Sequence, residues 1–210
     1  MAQIKKQVVA EAILRAARAL FRERGYSRTS MAEIARASNI STSNIYVYYF
    51  SKLDILFAIY EPWLEERLDE LEHELCEIAG PRDRLLRILE TFWRDLPAAE
   101  NGLANNAMQA LTTALPEERC NPALLDSALG RLLRMIRASL PEERIHLADD
   151  PHLAEIIFMA FDGYAMNHQL RRADDGAQAG GATQFMASLL LGETAERTQS
   201  TGYARALGSG

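Results

Sequence analysis

Residues 29–52 read TSMAEIARASNISTSNIYVYYFSK, and this stretch decides the fold. Ser30-Met31-Ala32-Glu33 is a capping box, in which the serine oxygen accepts the third helical amide and the glutamate reaches back to the cap's own amide. It opens a short helix with Ile34 and Ala35 facing inward. Asn39, the non-glycine type most tolerant of positive φ, suits the tight turn that follows. Ser41 then caps a third helix, predicted from Thr42 to about Tyr49, with Ile45 and Tyr49 as its buried side. Ser51-Lys52-Leu53-Asp54 repeats the pattern and starts a fourth helix, so three helix starts fall within 22 residues. Two short helices across a tight turn form a helix-turn-helix, whose second helix can lie in the DNA major groove.

That geometry is common; the chemistry of the outer side is more specific. Once Ile45 and Tyr49 are turned inward, Thr42, Ser43, Asn44, Tyr46, Val47 and Tyr48 remain. They bring hydroxyl and amide groups for base edges and phosphates, and a valine able to meet a thymine methyl. No carboxylate interrupts them. Lys52 stands at a helix start, where its charge opposes the dipole, so a phosphate held by its ammonium and the neighbouring amides accounts for it better than stability does.

Working outward, the composition excludes sheet folds. The chain has 210 residues with 32 Ala and 28 Leu against three Val, which leaves little from which to build strands. The fold class is all-α: an N-terminal three-helix helix-turn-helix domain followed by a larger helical domain. Val9, Ile13, Ala16/Ala17 and Leu20/Phe21 repeat at helical spacing, and Gly25 is placed to end that first helix in a left-handed cap. Leu64, Leu68, Leu71, Leu75 and Ile78 mark a long fourth helix containing Pro62. Prolines then bracket helices at about 82–96, 101–115, 122–140 and 151–171. Gly176 to Gly181 reads as a loop before a last helix at about 182–193, and a polar tail, 196–210, reads as disordered. The domains expected are 1–52, 53–195 and that tail.

Charge divides along the same line. Residues 1–52 carry nine Lys/Arg against three Glu, a net of +6, and the remainder carries 14 basic against 26 acidic groups, a net of −12. A basic head on an acidic body is the layout expected if only the head meets a polyanion. Cys76 and Cys120 lie 44 positions apart, which fits a reducing compartment and neither a disulfide framework nor a zinc knuckle. Lys5, Lys6, Glu11 and Arg15 break any secretory apolar segment, and no run has the ~18 apolar residues of a membrane span. A cytoplasmic protein without a membrane partner is expected.

Ile13–Leu56 resembles the DNA-binding domain of the TetR family of bacterial transcription regulators. The resemblance rests on Phe21–Gly25–Tyr26, on Thr29-Ser30 with Ile34-Ala35, on Ile40-Ser41 with Ile45-Tyr46, and on Ser51-Lys52, all in register. It covers the first quarter of the chain. The resemblance implies that Thr42, Ser43 and Asn44 read bases and that Ser30, Tyr46, Tyr48 and Lys52 contact phosphate. Asn39, Ser43 and Tyr48 stand where the family usually has Gly, Gly and His, which leaves the operator sequence open.

The resemblance further implies a homodimer on a palindromic double-stranded operator, joined through about 151–171 and 182–193 as a four-helix bundle. Residues 153–166 and 185–191 carry more apolar positions than one buried stripe needs, in keeping with two-sided burial. It implies a small-molecule effector pocket in the body, for which Trp63, Phe92, Trp93, Met108, Met135, Phe158 and Tyr164 are apolar candidates. Thr112, Asp162, Asn167 and His168 are the polar ones. Asp162 interrupts Ile156–Ala165, and a buried carboxylate there needs an arginine, a helix amide or a ligand as partner. His146 and His152 near Asp149-Asp150 read as a surface loop rather than a metal site. No cofactor and no metal are expected. No Ser–His–Asp spacing or Gly-rich phosphate loop supports an enzyme. The sequence is thus read as a ligand-responsive repressor, the rival being an effector-independent helical DNA-binding or protein-interaction module.

Overall fold

A computed structural model describes residues 2–99, 102–114, 122–171 and 175–193. Every element among them is helical: α1 (Ala2–Arg24), α2 (Met31–Ala37), α3 (Thr42–Ile45), α4 (Lys52–Glu77), α5 (Pro81–Glu90), α6 (Leu103–Thr113), α7 (Pro122–Ser139), α8 (His152–Arg171) and α9 (Asp175–Leu191). The tail 196–210 and Cys120 lie outside the described residues.

The local rules that start and stop the first helices hold. Gly25 takes φ +80° beyond α1, and its amide donates to the carbonyl of Phe21 at 2.9 Å. Ser30 and Glu33 form the full capping box on α2, and Asn39 takes φ +59° in the turn. Ser41 caps α3 and Ser51 caps α4, each accepting the amide three residues on.

Three expectations about helix extent need correction. The third helix ends at Ile45 instead of about Tyr49. The amides of Val47 and Tyr48 donate to carbonyls three residues back, tightening the chain into turns. The run Ile45-Tyr46-Val47-Tyr48-Tyr49 is β-branched and aromatic, which holds a regular helix poorly. The helix expected over about 82–96 is α5 followed by a π-helical turn, Thr91–Asp95, closed by the amide of Leu96 on the carbonyl of Thr91. A 3₁₀ segment, Glu142–Asp149, fills the stretch between α7 and α8. Residues 176–181 are helical and not a loop. With no proline there, and with Ala177, Ala179 and Ala182 favouring helix, α9 begins at Asp175 despite its glycines.

One buried cluster runs through the molecule. Ile13, Ala17, Phe21, Ile34, Ala35 and Ile45 form its N-terminal end, and Leu53, Ile55 and Leu56 of α4 close it. The same helix continues with Leu64, Leu68, Leu71 and Leu75 buried along its body-facing stripe. Pro62 stands inside α4, which runs unbroken around it. Thus α4 is a strut shared by the small N-terminal domain and the larger bundle of α5 to α9.

Candidate nucleic-acid interface and body cavity

The buried Ile45 anchors α3 and sets which neighbours face outward. Thr42, Ser43, Asn44, Tyr46 and Val47 are exposed, whereas Tyr48 and Tyr49 are half-buried against the core. Ser41 and Ser43 join their hydroxyls at 3.1 Å, and the Asn44 amide donates to Ser41 Oγ at 3.2 Å. The Asn44 carboxamide therefore projects from the first turn of α3, the part of a recognition helix that meets base edges. Burial, with the Asp54 carboxylate second, pushes the Tyr49 phenol up, so it stays neutral and packs.

Ser30 lies exposed at the α2 start. Its hydroxyl donates to Glu33 Oε2 at 2.8 Å and accepts the Glu33 amide. Those bonds hold the Glu33 carboxyl below its usual range, helped by Arg24 and Arg36. Phe50, 82% exposed beside the same surface, escaped sequence reading because an apolar residue between two helices signals core and not a contact.

Lys52 departs from expectation. Its Nζ donates to the carbonyls of Tyr26 at 2.9 Å and Thr29 at 2.8 Å, and lies 4.0 Å from the centre of the Tyr26 ring. The ammonium thus ties the loop after α1 to the start of α4. Asp54 also serves that start, accepting the Phe50 amide at 3.0 Å. In the chain without DNA the Lys52 ammonium, expected to meet phosphate, is held by backbone carbonyls 23 and 26 positions away.

Behind this domain lies an apolar cavity of about 670 Å³ between α4, α6, α7 and α8. Met108 and Phe158, both expected, line it. So do Phe57, Tyr60, Leu64, Leu124, Met159 and Phe161, which were not singled out. The signal was present as Phe57-Tyr60-Leu64 on one face of α4 and Phe158-Phe161 on α8, spacings that also describe ordinary core. Trp63 instead lines a second, polar cavity of about 660 Å³, with Arg22, Arg67, Arg87, Glu74 and Asp95.

The other expected pocket residues divide. Phe92, Trp93 and Met135 are buried in the core, and Trp93 Nε1 donates to the Ile157 carbonyl at 2.8 Å. Thr112 is exposed and donates its hydroxyl back to the carbonyls of Met108 and Gln109. The side chains of Asp162, Tyr164, Asn167 and His168 lie outside the described residues. His152 Nδ1 pairs with Asp150 at 2.6 Å, and hydrogen bonding and charge there raise the imidazole above its usual value.

On α8 and α9, Ile156, Met159, Phe185 and Leu189 are each about half exposed or more. Exposed apolar side chains of this size are the kind found at association surfaces. No helix among the described residues is long and apolar enough to cross a membrane.

Residues 13–59 match the family model of bacterial regulatory proteins, tetR family. An HTH-type transcriptional regulator, HbdR, of Aromatoleum is 37% identical over 73 residues, which cover 35% of this chain and 32% of that protein. A fatty acid metabolism regulator protein of Bacillus subtilis is 25% identical over 92 residues, covering 44% and 47%. The chain therefore aligns with less than half the length of either relative. The fold extends further: the transcriptional regulator FadR from Bacillus subtilis, in complex with stearoyl-CoA, superposes with a TM-score of 0.56 at 18% identity, covering 88% of this chain and 98% of that one. Residues 13–59 thus match the tetR family of bacterial regulatory proteins in sequence, and the helical body beyond them shares the fold of FadR.

Proposed function

We propose that this protein is a ligand-responsive transcriptional repressor that occupies a palindromic operator as a homodimer and leaves it when a small effector fills the body. The observation that carries the reading is the outward, acid-free face Thr42–Val47, held by the buried Ile45 on a tetR-family domain. Ser30, Thr42, Ser43, Asn44, Tyr46 and Tyr48 are the side chains assigned to DNA, while Lys52 braces the domain. Residues 1–52 act as the reader and 53–195 as the receptor, with α4 common to both. The site of action is the cytoplasm, where the operator is.

Two readers must sit about 34–36 Å apart to meet successive turns of one duplex face. The exposed apolar face of α8 and α9 supplies the joint that sets this spacing. An effector releases DNA only by binding the two spacings unequally, so affinity for DNA and for effector fall reciprocally. The apolar cavity has the size and lining of a small-molecule site. The named functions of the fatty acid regulators above support an apolar effector.

In vitro selection of duplexes by the purified chain tests the proposal. A palindromic consensus is expected, bound two chains per site, and lost in Asn44→Ala with dimerisation intact. Recovery of no consensus, or unchanged affinity in that variant, overturns it.

A further inference from the structure

The apolar cavity carries information about charge as well as size. Its aromatic wall comes from two helices: Phe57 and Tyr60 on α4, and Phe158 and Phe161 on α8, the last two with ring centres 5.2 Å apart. Aromatic faces carry negative potential and attract cations within about 6 Å of the ring centre. The charged residues lining this cavity, among the described residues, are Asp126 of α7 and Glu155 of α8. Both are exposed, and neither carboxylate has a hydrogen bond or an ion pair within 4 Å among the described residues, although the Glu155 charge also acts on His152 three positions before it. Each stands three positions before another lining residue, Leu129 or Phe158, so it shares the helix face that meets the cavity. Some carboxylates of the body are paired, as Asp69 and Glu72 are with Arg131, but Asp126 and Glu155 face the cavity with no such cation against them among the described residues. The domain as a whole adds a field of the same sign, since residues 53–210 carry a net of −12.

We propose that the cavity between α4, α6, α7 and α8 takes a lipophilic cation, an amine or quaternary ammonium on an apolar chain or ring system. The aromatic wall receives the apolar part, and Asp126 and Glu155 meet the charge near the opening. A fatty carboxylate or an acyl thioester of coenzyme A fits the apolar wall equally well but brings its negative groups against these two carboxylates. The inference rests on the reading of the body as the effector receptor and adds the sign of the ligand.

The test compares three probes of equal chain length, decyltrimethylammonium, decanol and decanoate, by isothermal titration calorimetry on the full-length chain below their micelle concentrations. The ammonium is expected to bind at least tenfold more tightly than decanoate, and less tightly as salt is raised. In Asp126→Asn/Glu155→Gln the ammonium should lose at least fivefold while decanol is unchanged. Both side chains are exposed, so circular dichroism should show an intact fold, and the probe series on the unsubstituted chain does not depend on the variant. Equal or tighter binding of decanoate, or an ammonium affinity indifferent to the double substitution, overturns the cation proposal and leaves an apolar receptor standing. Binding of none of the three overturns both.

Discussion

The carboxamide oxygen of Asn106 on α6 accepts the backbone amide of Tyr26 at 2.6 Å, joining the loop after the first helix of the reader to the body 80 positions later in the chain. The Asn106 amide group donates to the carbonyl of Gly102 and, at 3.4 Å, to that of Phe21. Asn106 is buried, and its neighbours Ala104, Ala107 and Met108 line the apolar cavity. A displacement of α6 by a ligand therefore pulls directly on the carbonyl and amide that end α1.

Asn106→Ala should cost about 1–3 kcal/mol, because it removes the buried hydrogen bond between the Tyr26 amide and the Asn106 carboxamide. Chemical denaturation measures this. If α6 transmits the effector signal, the variant also shows a smaller effector-induced loss of operator affinity, measured by fluorescence anisotropy with and without ligand.

Lys52→Met separates the two roles open to that lysine. Removing an ammonium that holds the Tyr26 and Thr29 carbonyls should lower stability by about 1–3 kcal/mol. The slope of log affinity against log salt on operator DNA should not change. A slope reduced by about 0.9, the signature of one lost phosphate contact, with stability intact would show that the ammonium meets DNA instead.

Ser30→Ala should destabilise α2 by about 0.5–2 kcal/mol through loss of the cap. The capping box is also acid-sensitive in a definite direction. Glu33 has its carboxyl held below 4.5, so its contribution is complete above that value and disappears as pH falls through the lowered one. A two-dimensional NMR titration should show the Ser30 and Glu33 amides shifting together below the ordinary carboxylate range.

His152 moves the other way. Its imidazole is held above 6.5 by hydrogen bonding and charge from Asp150, so the interaction is complete below 6.5 and lost as pH rises through the raised value. NMR titration of the ring protons should give a midpoint above 6.5 that falls in Asp150→Asn.

If the exposed apolar side chains of α8 and α9 form the proposed dimer seam, Phe185→Arg or Met159→Glu should yield a monomer in analytical ultracentrifugation, since each places a charge there. Helix content should persist, because both side chains are more than half exposed in the single chain.

The N-terminal domain was legible from local sequence alone. Capping boxes, a left-handed Asn39 and the buried Ile34, Ala35 and Ile45 are written in adjacent residues, and interactions three or four positions apart are enough to specify them. The all-helical class was equally legible from the Ala and Leu excess. The length of α3 was not, because the turns after Ile45 come from aromatic and β-branched residues that read equally well as one more helical turn. What Lys52 holds in the folded chain depended on packing, because the carbonyls it binds come from the far side of the loop after α1. Only packing distinguished Phe92, Trp93 and Met135, which fill the core, from Phe57, Tyr60 and Phe161, which line a cavity. Helical periodicity shows which side of a helix turns inward, but a cavity arises only where several inward sides fail to meet.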